Sequence, residues 1–352
     1  MQKTQGDGFV HSAQRPIAPT DRPITIFVTA PKLAQAGVDV LQAAGARVIY
    51  LPAADDVQAV RHIMATEPVD AVISRTVALD AEAIASCPTL KVVSKHGVGV
   101  SNIDVAACTE RGIPVYVTPG ANAQSVAEMT LGLMFAAARR IHWMDGELRE
   151  GRWSRAQDGL ELHGRTVGLV GFGQVGQRVA AACLAIGMRV YAYDPALQEQ
   201  PSPLRGVTLW TDLDDMLPHC NVVSLHVPLN ARTRNLFDAV RLARLPRQAV
   251  LINTARGEVV DEDALIQALQ NGQLYAAGLD TMAVEPLPAD SPLATLPNVV
   301  LTPHVGGSTP AALAAMASGA ARNVLGWLSG QPVDASACVN AQVLKTAPVV
   351  SA

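Results

Sequence analysis

The stretch TVGLVGFGQVG, residues 166–176, decides the fold of this chain. An apolar run leads directly into G-x-G-x-x-G and then into a helical segment, which predicts a strand, a tight turn and a helix. Gly171 permits the turn, Gly173 lets a pyrophosphate approach the backbone, and Gly176 packs the helix against the strand. Free N–H groups and the dipole at the start of the helix favour an anion there. The stretch therefore predicts a dinucleotide-binding unit.

An acidic residue follows at the spacing that such a unit requires. The run RVYAY, residues 189–193, predicts the second strand, and Asp194 ends it 18 residues after Gly176. A carboxylate at this point accepts hydrogen bonds from ribose hydroxyls and repels the 2′-phosphate of NADP. The next basic residue is Arg205. We therefore expect NAD as the cofactor, the alternative being that Asp194 and Pro195 form only a turn.

Strands and helices alternate through the rest of the chain, which predicts an α/β fold with parallel sheets covered by helices. We expect one long helix from Ala123 to about Gly146 and a helix from Thr309 to Ser329. Asp55 to Thr66 is predicted as a helix with an Asp cap. The further predicted strands are 24–29, 47–51, 71–74, 91–94, 114–117, 166–170, 221–226, 249–253, 276–279 and 299–301.

Composition excludes several classes of protein. The 352 residues correspond to about two domains, 49% of them are apolar, and the formal charge of −4 gives no basic field for nucleic acid or an anionic membrane. Residues 1–22 are polar and predict a flexible tail, with neither a signal peptide nor a membrane span in the chain. The five cysteines contain no C-x-x-C pair, which indicates buried thiols in a reducing cytoplasm and no metal site.

Three residues of catalytic type follow late predicted strands: Arg256, Glu285 and His304. Carboxyl ends of strands line the ligand crevice of a doubly wound sheet, so all three can face one cleft. Each alone has an ordinary structural interpretation, as a solvated arginine, a turn acid or a satisfied histidine. Their occurrence together behind a dinucleotide loop favours an active site.

Several motifs occur in one order and make the chain resemble the D-isomer-specific 2-hydroxyacid dehydrogenase family. Beside the glycine loop and Asp194, they are HGVGVSNID (96–104), TPGAN (118–122), SVAE (125–128), HVPL (226–229), NTARG (253–257), GLD (278–280), EP (285–286) and TPHVGG (302–307).

The resemblance implies a role for each matching residue. Arg256 is expected to bind the substrate carboxylate and carbonyl, His304 to exchange a proton with the substrate oxygen, and Glu285 to pair with His304. The backbone N–H groups of Val98 and Gly99 would cradle the substrate carboxylate. The residues expected near the nicotinamide and its ribose are Thr254, Ala255 and Asp280, and Gly307 is also expected at the cofactor site. Gln174 and Val175 would cover the pyrophosphate.

The resemblance also implies the architecture. A flavodoxin-like substrate domain is expected over 23–118 and 308–352, and a Rossmann NAD-binding domain over 119–307. The family commonly forms homodimers through the nucleotide domain, so a cytoplasmic homodimer is expected.

The substrate is less determined by the sequence. Arg75 and Lys95, with His96, could place positive charge near the distal end of a substrate such as 3-phosphoglycerate; as solvated rim charges they would suit hydroxypyruvate or glyoxylate equally. The phosphoglycerate dehydrogenase-like and hydroxypyruvate reductase-like interpretations thus stay open. Two alternatives on the same scaffold are a formate- or phosphite-type dehydrogenase and an NAD-sensing, corepressor-like binding module.

Overall fold

The computed structural model of the chain describes residues 22–155, 159–198 and 200–345. They form two compact units, one built from 22–121 with 313–345 and the other from 122–312. The sequence-based division placed the boundaries at 118/119 and 307/308. The expected tail, apart from Arg22, lies outside the described residues.

The first unit is built on five parallel strands in the order β2-β1-β3-β4-β5, the flavodoxin-like order. Short apolar runs form the central strands, which are buried. Aspartates at 56, 80 and 104 cap α2, α3 and α4 by accepting backbone N–H bonds of 2.9 Å. The strands are β1 (Thr25–Val28), β2 (Arg47–Tyr50), β3 (Ala71–Ser74), β4 (Val92–Lys95) and β5 (Val115–Tyr116). The helices are α1 (Gln35–Ala43), α2 (Val57–Thr66), α3 (Ala81–Ser86), α4 (Val105–Glu110) and most of α11 (Pro310–Leu328).

The second unit is a Rossmann domain with seven parallel strands in the order β12-β11-β10-β9-β6-β7-β8. Chain order reverses between β6 and β9, the switch point beside which a doubly wound sheet binds its ligand. The strands are β6 (Thr166–Val170), β7 (Arg189–Tyr193), β8 (Val207–Trp210), β9 (Val222–Leu225), β10 (Ala249–Asn253), β11 (Leu274–Leu279) and β12 (Val299–Leu301). The helices are α5 (Ala123–Ala138), α6 (Ile141–Arg149), α7 (Gln174–Ala185), α8 (Leu213–Met216), α9 (Ala239–Arg244) and α10 (Glu262–Gln270).

Two expectations about the second unit are wrong in detail. The single helix expected from Ala123 to about Gly146 is two helices, because Arg140 adopts a left-handed backbone with φ of 52°. The apolar pattern continues across this break, so periodicity does not reveal it. The edge strand β8 was not predicted, since its four residues follow a proline-containing polar loop.

All five cysteines are buried free thiols. Among the described residues, no helix is long and apolar enough to cross a membrane. The same residues hold no group of three or more side chains suited to binding a metal ion.

Candidate active site

The glycine loop between β6 and α7 fits a dinucleotide. A Cβ on Gly171 would lie 2.5 Å from the His226 carbonyl oxygen, and one on Gly176 would lie 2.4 Å from the Gly171 oxygen. Glycine is therefore required for the turn and for close packing of the helix. Gly173 instead faces open space at the start of a 12-residue helix that has no side-chain cap. The exposed backbone and the helix dipole suit a pyrophosphate at this point.

Asp194 lies beside this loop at the end of β7. One carboxylate oxygen accepts the Phe172 N–H at 2.9 Å, and the other accepts the Ala196 N–H at 2.9 Å. These bonds fix the carboxylate next to the glycine turn. Its position is the one from which an acid contacts a ribose in this type of fold.

His304 and Glu285 form a hydrogen-bonded pair. His304 Nδ1 lies 2.8 Å from Glu285 Oε2, and Glu285 Oε1 accepts the Met282 N–H at 3.0 Å. Burial opposes ionisation of Glu285, but the bonds from His304 and Met282 and the charges of His304 and Arg256 lower its pKa overall. A carboxylate that holds Nδ1 leaves Nε2 of the ring for exchange of a proton with another molecule.

Asp280 holds the loop that carries His304. Its buried carboxylate accepts bonds from Thr302 Oγ1 at 2.6 Å, Val305 N at 2.9 Å and Gly306 N at 2.8 Å. The His304 backbone has a φ of 53°, a conformation that costs energy for a residue with a side chain. The Asp280 bonds on both sides of His304 therefore stabilise this strained conformation of the loop.

Arg256 lies in a turn fixed by Asn253. The Asn253 side chain donates to the Arg256 carbonyl at 2.8 Å and accepts the Ala255 N–H at 3.0 Å. Burial lowers the pKa of Arg256, although the charges of Glu285 and Glu258 oppose this shift. Only one bond of the guanidinium, to the Ala255 carbonyl at 2.6 Å, is made within the described residues. Its other N–H groups are available for a planar anion such as a carboxylate.

Sequence reasoning gave no role to Gly257 or Glu262, both of which hold the Glu285 loop. A Cβ on Gly257 would lie 1.9 Å from the Met282 carbonyl carbon, so the loop runs directly against this glycine. Glu262 accepts the Ala283 N–H at 2.9 Å. Gly257 is part of the NTARG motif (253–257), which could have indicated its role. Glu262 lies in no motif, so the sequence gives no indication of its role.

The other expected cofactor residues are part of the same framework. Thr254 is buried and its hydroxyl lies 2.9 Å from that of Thr130. A Cβ on Gly307 would lie 2.9 Å from the Asn122 side chain. His226 pairs with the Ser224 hydroxyl at 2.9 Å, and burial lowers its pKa to about 4, which agrees with a structural role.

The expected substrate residues of the first unit lie at or just after the carboxyl ends of β3 and β4. Val98 is 48% exposed, and the N–H groups of Val98 and Gly99 have no acceptor within the described residues. The Lys95 amine contacts the Arg75 carbonyl and the Asn102 side chain. The loop therefore presents free backbone donors, and Lys95 holds the backbone beside it.

The Rossmann topology, the glycine loop and the paired histidine and glutamate define an NAD-dependent oxidoreductase. The profile of the family described as "D-isomer specific 2-hydroxyacid dehydrogenase, NAD binding domain" matches residues 131–306. The chain belongs to the D-isomer-specific 2-hydroxyacid dehydrogenase family.

Relatives and a solved structure agree with this assignment. The chain is 44% identical over 246 residues to a hydroxypyruvate reductase of Thermotoga maritima, covering 68% of this chain and 79% of that one. It is 41% identical over 251 residues to a D-3-phosphoglycerate dehydrogenase of Methanocaldococcus jannaschii, covering 71% of this chain but only 48% of the relative. The structure of the TT0316 protein from Thermus thermophilus superposes with a TM-score of 0.80 at 36% identity, over 90% of this chain and all of that one.

Proposed function

We propose that this NAD-dependent 2-hydroxyacid dehydrogenase uses Arg256, Glu285 and His304 to interconvert a small D-2-hydroxy acid and its 2-oxo acid. The candidate substrates are hydroxypyruvate, glyoxylate and 3-phosphoglycerate, the first and third of which correspond to the names of the two relatives. The formate-type and binding-module alternatives have no comparable support in the site.

NAD, when bound, supplies or accepts the hydride at the carbon that bears the reacting oxygen. The cofactor would be held by the glycine loop, with Gln174 and Val175 at the pyrophosphate and Asp194 at the adenosine ribose. Thr254, Ala255, Asp280 and Gly307 would border the nicotinamide and its ribose.

The protein groups divide the remaining work. The Arg256 guanidinium binds the substrate carboxylate and polarises the carbonyl. His304 Nε2 gives its proton to the ketone oxygen during reduction and takes it back during oxidation. The Glu285 carboxylate accepts the Nδ1–H bond of His304 and fixes the orientation of the ring. The N–H groups of Val98 and Gly99 add donors for the carboxylate.

The observation that carries this proposal is the His304–Glu285 bond of 2.8 Å, made beside a desolvated arginine whose charge also acts on Glu285. An acid–base group, its orienting carboxylate and an anion-binding cation are the groups that reduction of a 2-oxo acid requires.

The test is NADH oxidation by the purified chain with hydroxypyruvate, glyoxylate and 3-phosphooxypyruvate, repeated with Arg256→Met. We expect turnover of at least one acid, and a loss of kcat/KM of about 10²-fold or more in the variant, since a charged, paired contact is removed. Glu161→Gln, on an exposed residue of the same unit, serves as the control. Binding of NADH with no turnover of any acid would refute the proposal and favour the binding module.

We also infer a cytoplasmic homodimer. Helix α6 has no buried residue, and large apolar side chains are exposed on it and next to it: Phe135, Ile141, Leu148 and Trp153. Several large apolar side chains exposed along one segment of the chain are typical of a protein interface. Sedimentation should give twice the mass of one chain, and Trp153→Ser with Leu148→Ser should give a monomer; a monomeric native chain would contradict the inference. The buried free thiols support a reducing compartment.

A further inference from the structure

Helix α5 is bonded to two loops of the candidate site within the second unit. It packs along β10, β11 and β12, and eight of its sixteen residues are buried. The loop after β10 carries Arg256, and the loop after β12 carries His304. Each loop makes one hydrogen bond with a buried hydroxyl of the helix, Ser125 for the His304 loop and Thr130 for the Arg256 loop. The two hydroxyls lie five residues apart, about 7.5 Å along the helix axis.

The Ser125 hydroxyl completes the support of the His304 loop. It donates to the Gly306 carbonyl at 2.5 Å, whereas the Gly306 N–H donates to Asp280 at 2.8 Å. Both backbone polar groups of Gly306 are therefore held, one from the helix and one from the end of β11. Because Ser125 is only 6% exposed, loss of its hydroxyl would leave a buried carbonyl without its donor. His304, two residues earlier, has a strained φ of 53° and depends on such bonds.

The Thr130 hydroxyl holds the Arg256 loop through Thr254. Thr130 Oγ1 donates to the Val126 carbonyl at 2.8 Å and lies 2.9 Å from Thr254 Oγ1. Since a hydroxyl has one hydrogen and a carbonyl only accepts, Thr254 is the donor in the second bond. The bonds of Asn253 fix the shape of this turn from within, whereas the bond of Thr254 connects the turn to the helix.

We propose that Ser125 and Thr130 are positioning residues, which fix the separation of His304 and Arg256 through α5. A proton donor and an anion-binding cation that act on one substrate must be aligned to within about 0.5 Å. Each hydroxyl acts through the backbone, at a point two residues away from His304 or Arg256. This inference rests on the proposed dehydrogenase function and adds two residues to those that the reaction requires.

The first experiment measures kcat and KM in Ser125→Ala at saturating NADH, with the most active of hydroxypyruvate, glyoxylate and 3-phosphooxypyruvate. Because His304 would lose its alignment, kcat should fall about 10- to 100-fold while KM for the acid changes little. The solvent deuterium isotope effect on kcat should increase, since proton transfer becomes slower. Ser125→Cys keeps a weak donor and should give a smaller loss. Ser318→Ala, which removes a buried hydroxyl bonded to its own helix at Ala315, should leave kcat unchanged.

The second experiment measures the same constants in Thr130→Val. KM for the acid should rise about 10-fold, with a smaller change in kcat, because the loop that binds the substrate carboxylate would move. Thr130→Ser keeps the hydroxyl and should restore KM. Thr109→Val is the matched control, because Thr109 also donates to a carbonyl four residues earlier and accepts a bond from another segment, but belongs to the first unit. Its KM should be unchanged.

All kinetics are measured below the thermal midpoint of every variant, so that unfolding does not contribute. A native kcat in Ser125→Ala together with a native KM in Thr130→Val would overturn the inference. Losses no larger than those in Ser318→Ala and Thr109→Val would overturn it as well. Absence of turnover by the native chain with all three acids would instead overturn the proposed function, and this inference with it.

Discussion

In the first unit, the charged groups at the two ends of the parallel strands differ in how far the protein supplies their hydrogen-bond and ion-pair partners. At the amino ends, Asp70 binds Arg22 at 2.7 Å and Lys91 at 3.0 Å and accepts the Thr25 N–H at 3.0 Å. At the carboxyl ends, neither the Arg75 guanidinium nor Nε2 of His96 has a hydrogen-bond partner within the described residues. The polar groups of the first cluster are paired within the protein, and those of the second are paired only in part.

The second unit shows the same contrast. At the amino end of β6, the Asn221 side chain accepts the Thr166 N–H at 3.0 Å and closes a purely structural contact. At the carboxyl ends, Arg256 and His304 keep donors free while Asp280 and Asn253 hold their loops. In both units, structural polar groups have hydrogen-bond partners within the protein, whereas groups of the candidate site keep some donors without a partner among the described residues. This difference in pairing, more than the charge of a group, distinguishes a structural role from a role in the site.

At the carboxyl ends, a large loss of activity is expected in Glu285→Gln. Glutamine keeps the size of the side chain but removes the carboxylate that accepts the His304 Nδ1–H bond and orients the ring, so kcat for reduction should fall about 10²- to 10³-fold. The thermal midpoint should change little. Stopped-flow NADH oxidation measures kcat. A fall in stability with kcat retained would show that Glu285 has only a structural role and would contradict the difference between the two ends of the strands.

The amino ends should show the reverse pattern in Asp70→Asn. Asparagine removes the buried charge that pairs with Arg22 and Lys91, so the free energy of unfolding should fall by about 2–3 kcal/mol at pH 7. Denaturant unfolding measures this, with the exposed Asp39→Asn as control. Loss of kcat/KM with unchanged stability would contradict the assignment.

The pH dependence of that stability difference sharpens the test. Burial opposes ionisation of Asp70, but its bonds to Thr25, Arg22 and Lys91 lower its pKa overall. A lowered pKa in the folded state stabilises the protein above the unfolded-state pKa, near 4 for an aspartate. The difference between native and Asp70→Asn should therefore persist at pH 5 and shrink as the pH falls below about 4. A difference that grew in acid would contradict the lowered pKa.

A smaller effect is expected from Gly257→Ala, which alters the frame of the site. The new methyl would overlap the Met282 backbone, so the Glu285 loop must move at a cost of about 1–3 kcal/mol. We expect reduced kcat together with reduced stability. Gly132→Ala, where a Cβ meets nothing within 4 Å, is the matched control and should be neutral or stabilising. Wild-type kcat in Gly257→Ala would show that the loop position does not govern His304.

The smallest effect is expected in Asp194→Ala. Removing the carboxylate beside the glycine loop should lower the preference for NADH over NADPH about 10-fold, because repulsion of the 2′-phosphate is lost. The ratio of kcat/KM for the two cofactors measures this preference. An unchanged ratio would return Asp194 to its structural role as the acceptor of Phe172 and Ala196 N–H groups.

Sequence reasoning was strongest where local chemistry specifies structure. Strands 166–170, 189–193 and 249–253 were predicted to the residue, because each is an apolar run that ends at or beside a residue of the candidate site: Gly171, Asp194 and Asn253. The pairing of Glu285 with His304 was implied by family resemblance and is observed in the structure. The break at Arg140 was not predictable, because it depends on one backbone torsion in an otherwise helical pattern. The engagement of Lys95 and the contact of Glu262 with the Ala283 N–H depend on tertiary proximity, which one sequence does not encode locally.

The most direct test of the central claim is the single-turnover rate of NADH oxidation in His304→Ala, measured with the most active 2-oxo acid beside the native chain. We expect a rate about 10²- to 10⁴-fold lower in the variant, with the affinity for NADH and the unfolding midpoint retained. A native rate in His304→Ala would show that His304 does not transfer the proton and would contradict its proposed acid–base role.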